Sequence, residues 1–188
     1  MSFFSVLAIA IGLSMDSFAV SVSAGTAKTL NKSEKFKNSL KLGTTFGFFQ
    51  AFMPVIGWIT GVQFQSFVIS YAHWIAFILL SAIGCKMIFE ALSDNGEDSG
   101  ITGTISLNML ILLGIATSID ALAVGFSFAF LNEAILIPAI IIGIVTFSMS
   151  FAGVYLGEKF GEIMGERAEI IGGIILIVIG VKILLENL

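Results

Sequence analysis

The sequence predicts an all-α integral membrane protein, with six transmembrane helices arranged as two inverted three-helix repeats. Three observations carry this. Of 188 residues, 57% are hydrophobic and only 12% are charged, about half the charged share of a soluble domain. The apolar residues gather in six stretches, each close to the roughly 20 residues that cross a bilayer as a helix. The second half of the chain also repeats the first.

The first span, Phe3–Ala24, starts from "MSFFSVLAIA", which lacks the basic n-region of a signal peptide, so it is expected to be retained. It contains "SMDSFAVSVSAG", with Asp16 about halfway along. A basic loop, about 26–41, follows. The second span, Leu42–Gly61, sets Gly43, Gly47, Gln50, Pro54, Gly57 and Gly61 on one face. Pro54 has no N–H to donate, which frees a carbonyl one turn earlier.

Trp58, Tyr71 and Trp74 bracket the next connection as an outer-interface aromatic belt would, with His73 an interface residue beside Trp74. The third span, Ala72–Leu92, holds Cys85, a packing residue, and ends with Lys86 and Glu90 as an i, i+4 ion pair. A polar, acidic linker at 93–103, "SDNGEDSGITG", separates the first repeat (1–92) from the second (104–188).

The fourth span, Leu107–Leu131, carries "SIDALAVGFSFA" with Asp120 at its middle. The fifth, Ala134–Leu156, aligns Ala139, Gly143, Thr146, Ser150, Gly153 and Gly157 on one face. The Glu158–Glu169 run reads as a solvated face. The sixth span, Glu169–Leu185, has Lys182 paired with Glu186 in its last turns.

The repeat is measurable. Ser14–Ser23 matches Ser118–Ser127 at five of ten positions with an offset of 104. The later spans align at an offset of 96: Gly47 with Gly143, Met53 with Met149, Gly57 with Gly153, Gly61 with Gly157, and "IGCKMIFEAL" with "IGVKILLENL". Three spans per half is an odd number, so the second half enters the membrane inverted. Secondary transporters use this arrangement, with the substrate site near the midplane between repeats. Cytoplasmic first, third and fifth loops place eight of the nine Lys and Arg inside, which puts both termini outside.

An aspartate at a helix centre costs about 2.5–3.5 kcal/mol on insertion scales. Asp16 and Asp120 sit at matched positions and similar depth, with no Lys or Arg nearby in their own helices. The faces Gly12, Asp16, Ala19, Ser23 and Ala116, Asp120, Ala123, Ser127 repeat the same 4-3-4 spacing. A bound cation explains the pair better than two structural carboxyls. Two carboxylates with Gln50 and Thr146 form an oxygen-rich site suited to Mg²⁺, Ca²⁺ or Mn²⁺. Met53 and Met149 add thioethers that favour a softer ion, or simply pack. Gly12, Gly47, Gly57, Gly61, Gly143, Gly153 and Gly157 are the helix-packing positions. Exchange of metal for protons at Asp16 and Asp120 would supply coupling. No nucleotide loop, zinc spacing, HExxH or nucleophile–base pair is present, which argues against an enzyme, a prosthetic group or nucleic-acid binding.

At "SMDSFAVS", "GFFQAFMPVIGW", "HWIAFILLSAIG", "ATSIDALAVG" and "AEIIGGIILIVIGVKIL" the chain resembles the MntP family of bacterial manganese efflux pumps, over nearly its whole length. The resemblance implies a six-helix inner-membrane protein of two three-helix repeats, related to the lysine-exporter superfamily, that exports Mn²⁺. It implies that the family's intramembrane acids fall on Asp16 and Asp120; some members carry Glu where Gln50 stands. Another cation (Cd²⁺, Mg²⁺), carried or passed through a channel, and an amino acid remain as alternative cargoes. The absence of a central basic residue weighs against the amino acid.

Overall fold

The computed structural model describes residues 2–25, 32–68, 72–92, 107–160 and 162–186. Regular structure there is helical: α1 (Phe3–Gly25), α2 (Lys32–Val68), α3 (Ala72–Leu92), α4 (Leu107–Ala116), α5 (Ile119–Phe130), α6 (Leu136–Phe160) and α7 (Glu162–Glu186). Tyr71 and the linker at 93–103 lie outside the described residues, as do the side chains of His73, Glu90, Glu158, Glu169 and Glu186. Among the described residues, four stretches are long and apolar enough to cross a membrane: Phe3–Gly25, Lys32–Gln63, Leu107–Phe130 and Leu136–Gly157. Shorter apolar stretches, Phe77–Lys86 and Ile170–Leu185, lie within α3 and α7. The chain is a multi-pass, all-helical membrane protein.

Two elements depart from the sequence reading. Helix α2 begins at Lys32, so the second half of the expected basic loop is helical. Its first turns carry Glu34, which suits the positive end of the helix dipole. They also pack on α6: Phe36 meets Phe151 edge-on, and the Lys35 amino group lies 5.0 Å from the centre of the Tyr155 ring. The fourth span is not one helix but two, broken at Thr117 and Ser118. The hydroxyls of both residues bond back to carbonyls of the preceding turn, Thr117 to Leu113 at 2.9 Å and Ser118 to Gly114 at 2.6 Å. Such back-bonding bends helices. The Ser118 N–H then closes a tighter turn on the Ile115 carbonyl at 3.2 Å.

Packing rests on small residues, as it must where lipid is as apolar as leucine. Helix α1 packs chiefly on α6 and α7, α2 on α5 and α6, and α3 on α7. A Cβ on Gly57 would run into the Leu122 carbonyl, and one on Gly61 would lie 2.7 Å from the Ala129 Cβ, so α2 and α5 advance in the same direction. Gly153 approaches the Phe18 carbonyl and Gly157 the Val22 carbonyl, so α1 and α6 also run together. Where α2 meets α6, a Cβ on Gly47 would lie 2.9 Å from the Gly143 carbonyl and one on Gly143 would lie 2.9 Å from the Gly47 carbonyl. Gly43 and Ala51 meet Phe147 and Gly143 on either side of that point, so these two helices run oppositely. Gly12 fits under Leu176 of α7. Large side chains such as Phe48, Phe52, Ile140, Ile144 and Val178 face outward, where acyl chains would meet them.

Candidate functional site

The centre of the molecule is a polar layer built on Gln50, which is fully buried. Its amide nitrogen donates to two carbonyls, Leu13 of α1 at 3.1 Å and Thr117, at the break between α4 and α5, at 2.9 Å. Since both neighbours are carbonyls, the nitrogen must face them and Oε1 must face away. That oxygen has no hydrogen-bond partner among the described residues. The backbone carbonyl of Gln50 loses its ordinary helical donor too, because position 54 is a proline inside α2. Leu13 and Thr117 differ by 104, the offset that aligns the first and fourth spans. One side chain therefore bridges two equivalent carbonyls.

Three further buried hydroxyls in this part of the fold are without a partner among the described residues: Ser17 on α1, and Thr146 and Ser150 on α6. Most serines and threonines in these helices behave otherwise. Ser14, Ser21, Thr60, Ser127 and Ser148 each bond to a carbonyl of the preceding turn. The register that sets Gly153 on Phe18 and Gly157 on Val22 brings Ser17 and Ser150 within one turn of each other along the α1–α6 contact. An unpartnered buried polar atom costs about 1–3 kcal/mol, and these oxygens are unsatisfied among the described residues.

The two aspartates flank this layer. Each follows its Gln50-bonded carbonyl by three residues, on helices that run in opposite directions. Side chains on a helix lean toward its N-terminus, so both carboxylates lean back toward the Gln50 layer. Asp120 is buried and Asp16 partly so.

Lys86 overturns one expectation. Its ammonium on α3 lies 3.5 Å from Asp120 Oδ1, so a basic residue does reach a central carboxylate. The pair expected between Lys86 and Glu90 lies outside the described residues, because the Glu90 side chain is not among them. The signal was a lysine inside the apolar run "IGCKMIFE". The equivalent Lys182 donates instead to Ser5 Oγ at 3.2 Å, near the start of α1. Met53 and Met149 are half-buried against the core. Among the described residues, no three His, Cys, Asp or Glu side chains gather to hold a metal. Toward one end of the bundle, Trp58 Nε1 donates to the Glu133 carbonyl at 2.9 Å, tying α2 to the turn where Asn132 adopts a φ of 57°.

A family model described as "Putative manganese efflux pump" matches residues 33–184. The chain is 52% identical over 188 residues to "Putative manganese efflux pump MntP" of Methanosarcina acetivorans, covering 100% of this chain and 98% of the relative. It is 54% identical to the protein of the same description in Methanosarcina barkeri, with the same coverage. Against "Putative manganese efflux pump MntP 2" of Clostridium botulinum it is 47% identical, covering 100% and 96%. No solved structure matches the chain.

Proposed function

The chain belongs to the Mntp family, and from that membership we propose that it is a transporter, not an enzyme, that carries Mn²⁺ out of the cytoplasm. Transport proceeds by alternating access, with Asp16 and Asp120 walling the ion path and exchanging the metal for protons. The observation that carries this reading is the Gln50 layer. It holds four buried side-chain oxygens without partners among the described residues, on helices that also carry or pack against those of the two aspartates. A cation that takes carboxylate, amide and hydroxyl oxygens satisfies all of them at once. That donor set suits a hard or borderline divalent ion. The thioethers of Met53 and Met149 bias it toward Mn²⁺ over Mg²⁺.

The architecture proposed is two three-helix repeats, 1–92 and 104–188, inverted about an axis through the α2–α6 crossing. The contacts that support it come in matched pairs. Gly57 on Leu122 mirrors Gly153 on Phe18, Gly61 on Ala129 mirrors Gly157 on Gly25, and Gly47 and Gly143 meet each other. Both termini face away from the cytoplasm, and the membrane is the bacterial cytoplasmic one.

Energetics requires coupling. Moving a divalent cation outward against 100 mV costs about 4.6 kcal/mol, twice the roughly 2.3 per charge. Two protons entering per metal leaving cancel that term. The test is a metal panel in proteoliposomes. Wild type moves Mn²⁺ with counter-movement of protons, and Asp16→Ala and Asp120→Ala each abolish it. Metal flux with no proton movement removes the coupling, and flux retained in both variants removes the site.

The Lys86–Asp120 pair favours one second reading. An ammonium facing a carboxylate also suits a zwitterion, as amino-acid export would need. Counterflow of amino acids in the same vesicles, without Mn²⁺ counterflow, would select it.

A further inference from the structure

We propose that Lys86 is a built-in counter-cation that occupies Asp120 when the transported ion is absent and is displaced by that ion. The inference rests on the reading of Asp120 as a wall of the ion path and adds a residue that reading does not contain. Three observations carry it. The Lys86 ammonium is the cationic group seen at Asp120, at 3.5 Å. That distance is at the long end of hydrogen bonding, so the pair is held loosely. The two partners are also unlike: the lysine side chain is 49% exposed and the aspartate 10%. The carboxylate is fixed in the bundle, while the ammonium sits on a flexible stem that can move away from it.

The physical need is charge balance. An ionised carboxylate at mid-membrane is costly unless neutralised. A tethered ammonium neutralises Asp120 in the interval when neither metal nor proton is on it, which leaves the exchange of metal for protons intact. A divalent ion at the same oxygen brings twice the charge and repels the ammonium at close range, so metal and lysine exclude each other. Lys182, the equivalent lysine of the second half, is an internal contrast. It donates to Ser5, eleven residues from Asp16 along α1, and serves as the comparison residue in the experiment.

The experiment uses the full chain in detergent micelles. Wild-type protein is labelled with an amine-reactive acetylating reagent, with and without saturating MnCl₂, and each lysine is quantified by mass spectrometry. Lys86 labelling is expected to rise severalfold with Mn²⁺ while Lys182 labelling stays constant. Asp120→Asn is expected to give the raised value without metal. In parallel, calorimetry on Lys86→Met is expected to show Mn²⁺ bound severalfold tighter. In vesicles, that variant lowers KM and kcat together, because a metal with no returning competitor leaves slowly. Lys86→Arg restores wild-type values. If Lys86→Met fails to fold, the labelling of the wild-type chain decides alone. Bound Mn²⁺ with unchanged Lys86 labelling overturns the counter-cation and leaves the exporter reading standing. Failure of wild-type protein to bind Mn²⁺ overturns both.

Discussion

Replacing Gln50 with leucine separates the structural from the functional worth of the polar layer. The two side chains are close in volume, so no large cavity opens. The variant loses the hydrogen bonds to the Leu13 and Thr117 carbonyls, worth about 0.5–1.5 kcal/mol each, or about 1–3 together. It also removes a buried Oε1 that has no partner among the described residues, which recovers about 1–3 kcal/mol. The two terms are of opposite sign and equal size. Stability should therefore change little, within about 1 kcal/mol. At roughly 2–4 °C per kcal/mol for a chain of this length, the thermal midpoint in detergent should stay within about 4 °C of wild type. Mn²⁺ flux into or out of proteoliposomes should meanwhile collapse, since the layer has lost its amide oxygen and its link between α1 and the α4–α5 break. A fall of more than about 10 °C would show that Oε1 has a partner in the folded protein, against the offsetting of terms used here. Flux at the wild-type rate would show that the layer is not in the ion path.

Three other perturbations test separate parts of the account. Gly157→Ala places a methyl group against the Val22 carbonyl and 3.0 Å from the Gly25 Cα, where neither backbone can yield. The thermal midpoint should fall, although alanine is the better helix former by about 1 kcal/mol; a rise would refute the close contact. Saturating MnCl₂ at one hundred times its dissociation constant should stabilise the wild-type chain by about 2.7 kcal/mol, seen as a raised midpoint. Asp16→Asn and Asp120→Asn should each lose that gain, and a variant that keeps it has not lost a ligand. Epitope tags at both termini should be reached by antibody from the outer side of the cytoplasmic membrane, in spheroplasts. Protection of either one reverses the orientation.

What was legible in the sequence followed from covalent spacing. Helix positions, the small-residue faces and the matched aspartates are periodic features, and 3.6 residues per turn converts them directly into faces. Three features were not legible, because they depend on how helices meet. The break at Thr117 and Ser118 depends on which acceptor each hydroxyl chooses, and the equivalent Leu13 and Ser14 stay inside a continuous helix. Lys86 reaches Asp120 across a gap of 34 positions, which no within-helix rule finds. Gln50 reaches the Leu13 and Thr117 carbonyls across 37 and 67 positions, which likewise depends on how the helices meet.

Gln50 also explains why the two halves match imperfectly where they touch. On the two-fold reading, positions 50 and 146 are equivalents at an offset of 96 and lie on opposite sides of the axis. A side chain long enough to bridge Leu13 and Thr117 from one side occupies the axis itself. An equal side chain from the other side would need the same volume and the same two carbonyls. One of the two positions must therefore be short, and Thr146, fully buried with its hydroxyl unpartnered among the described residues, is the short one. On that reading the asymmetry is a steric consequence of a repeat that meets itself. It gives a symmetric frame an unsymmetric donor set, with an amide oxygen on one side and a hydroxyl on the other.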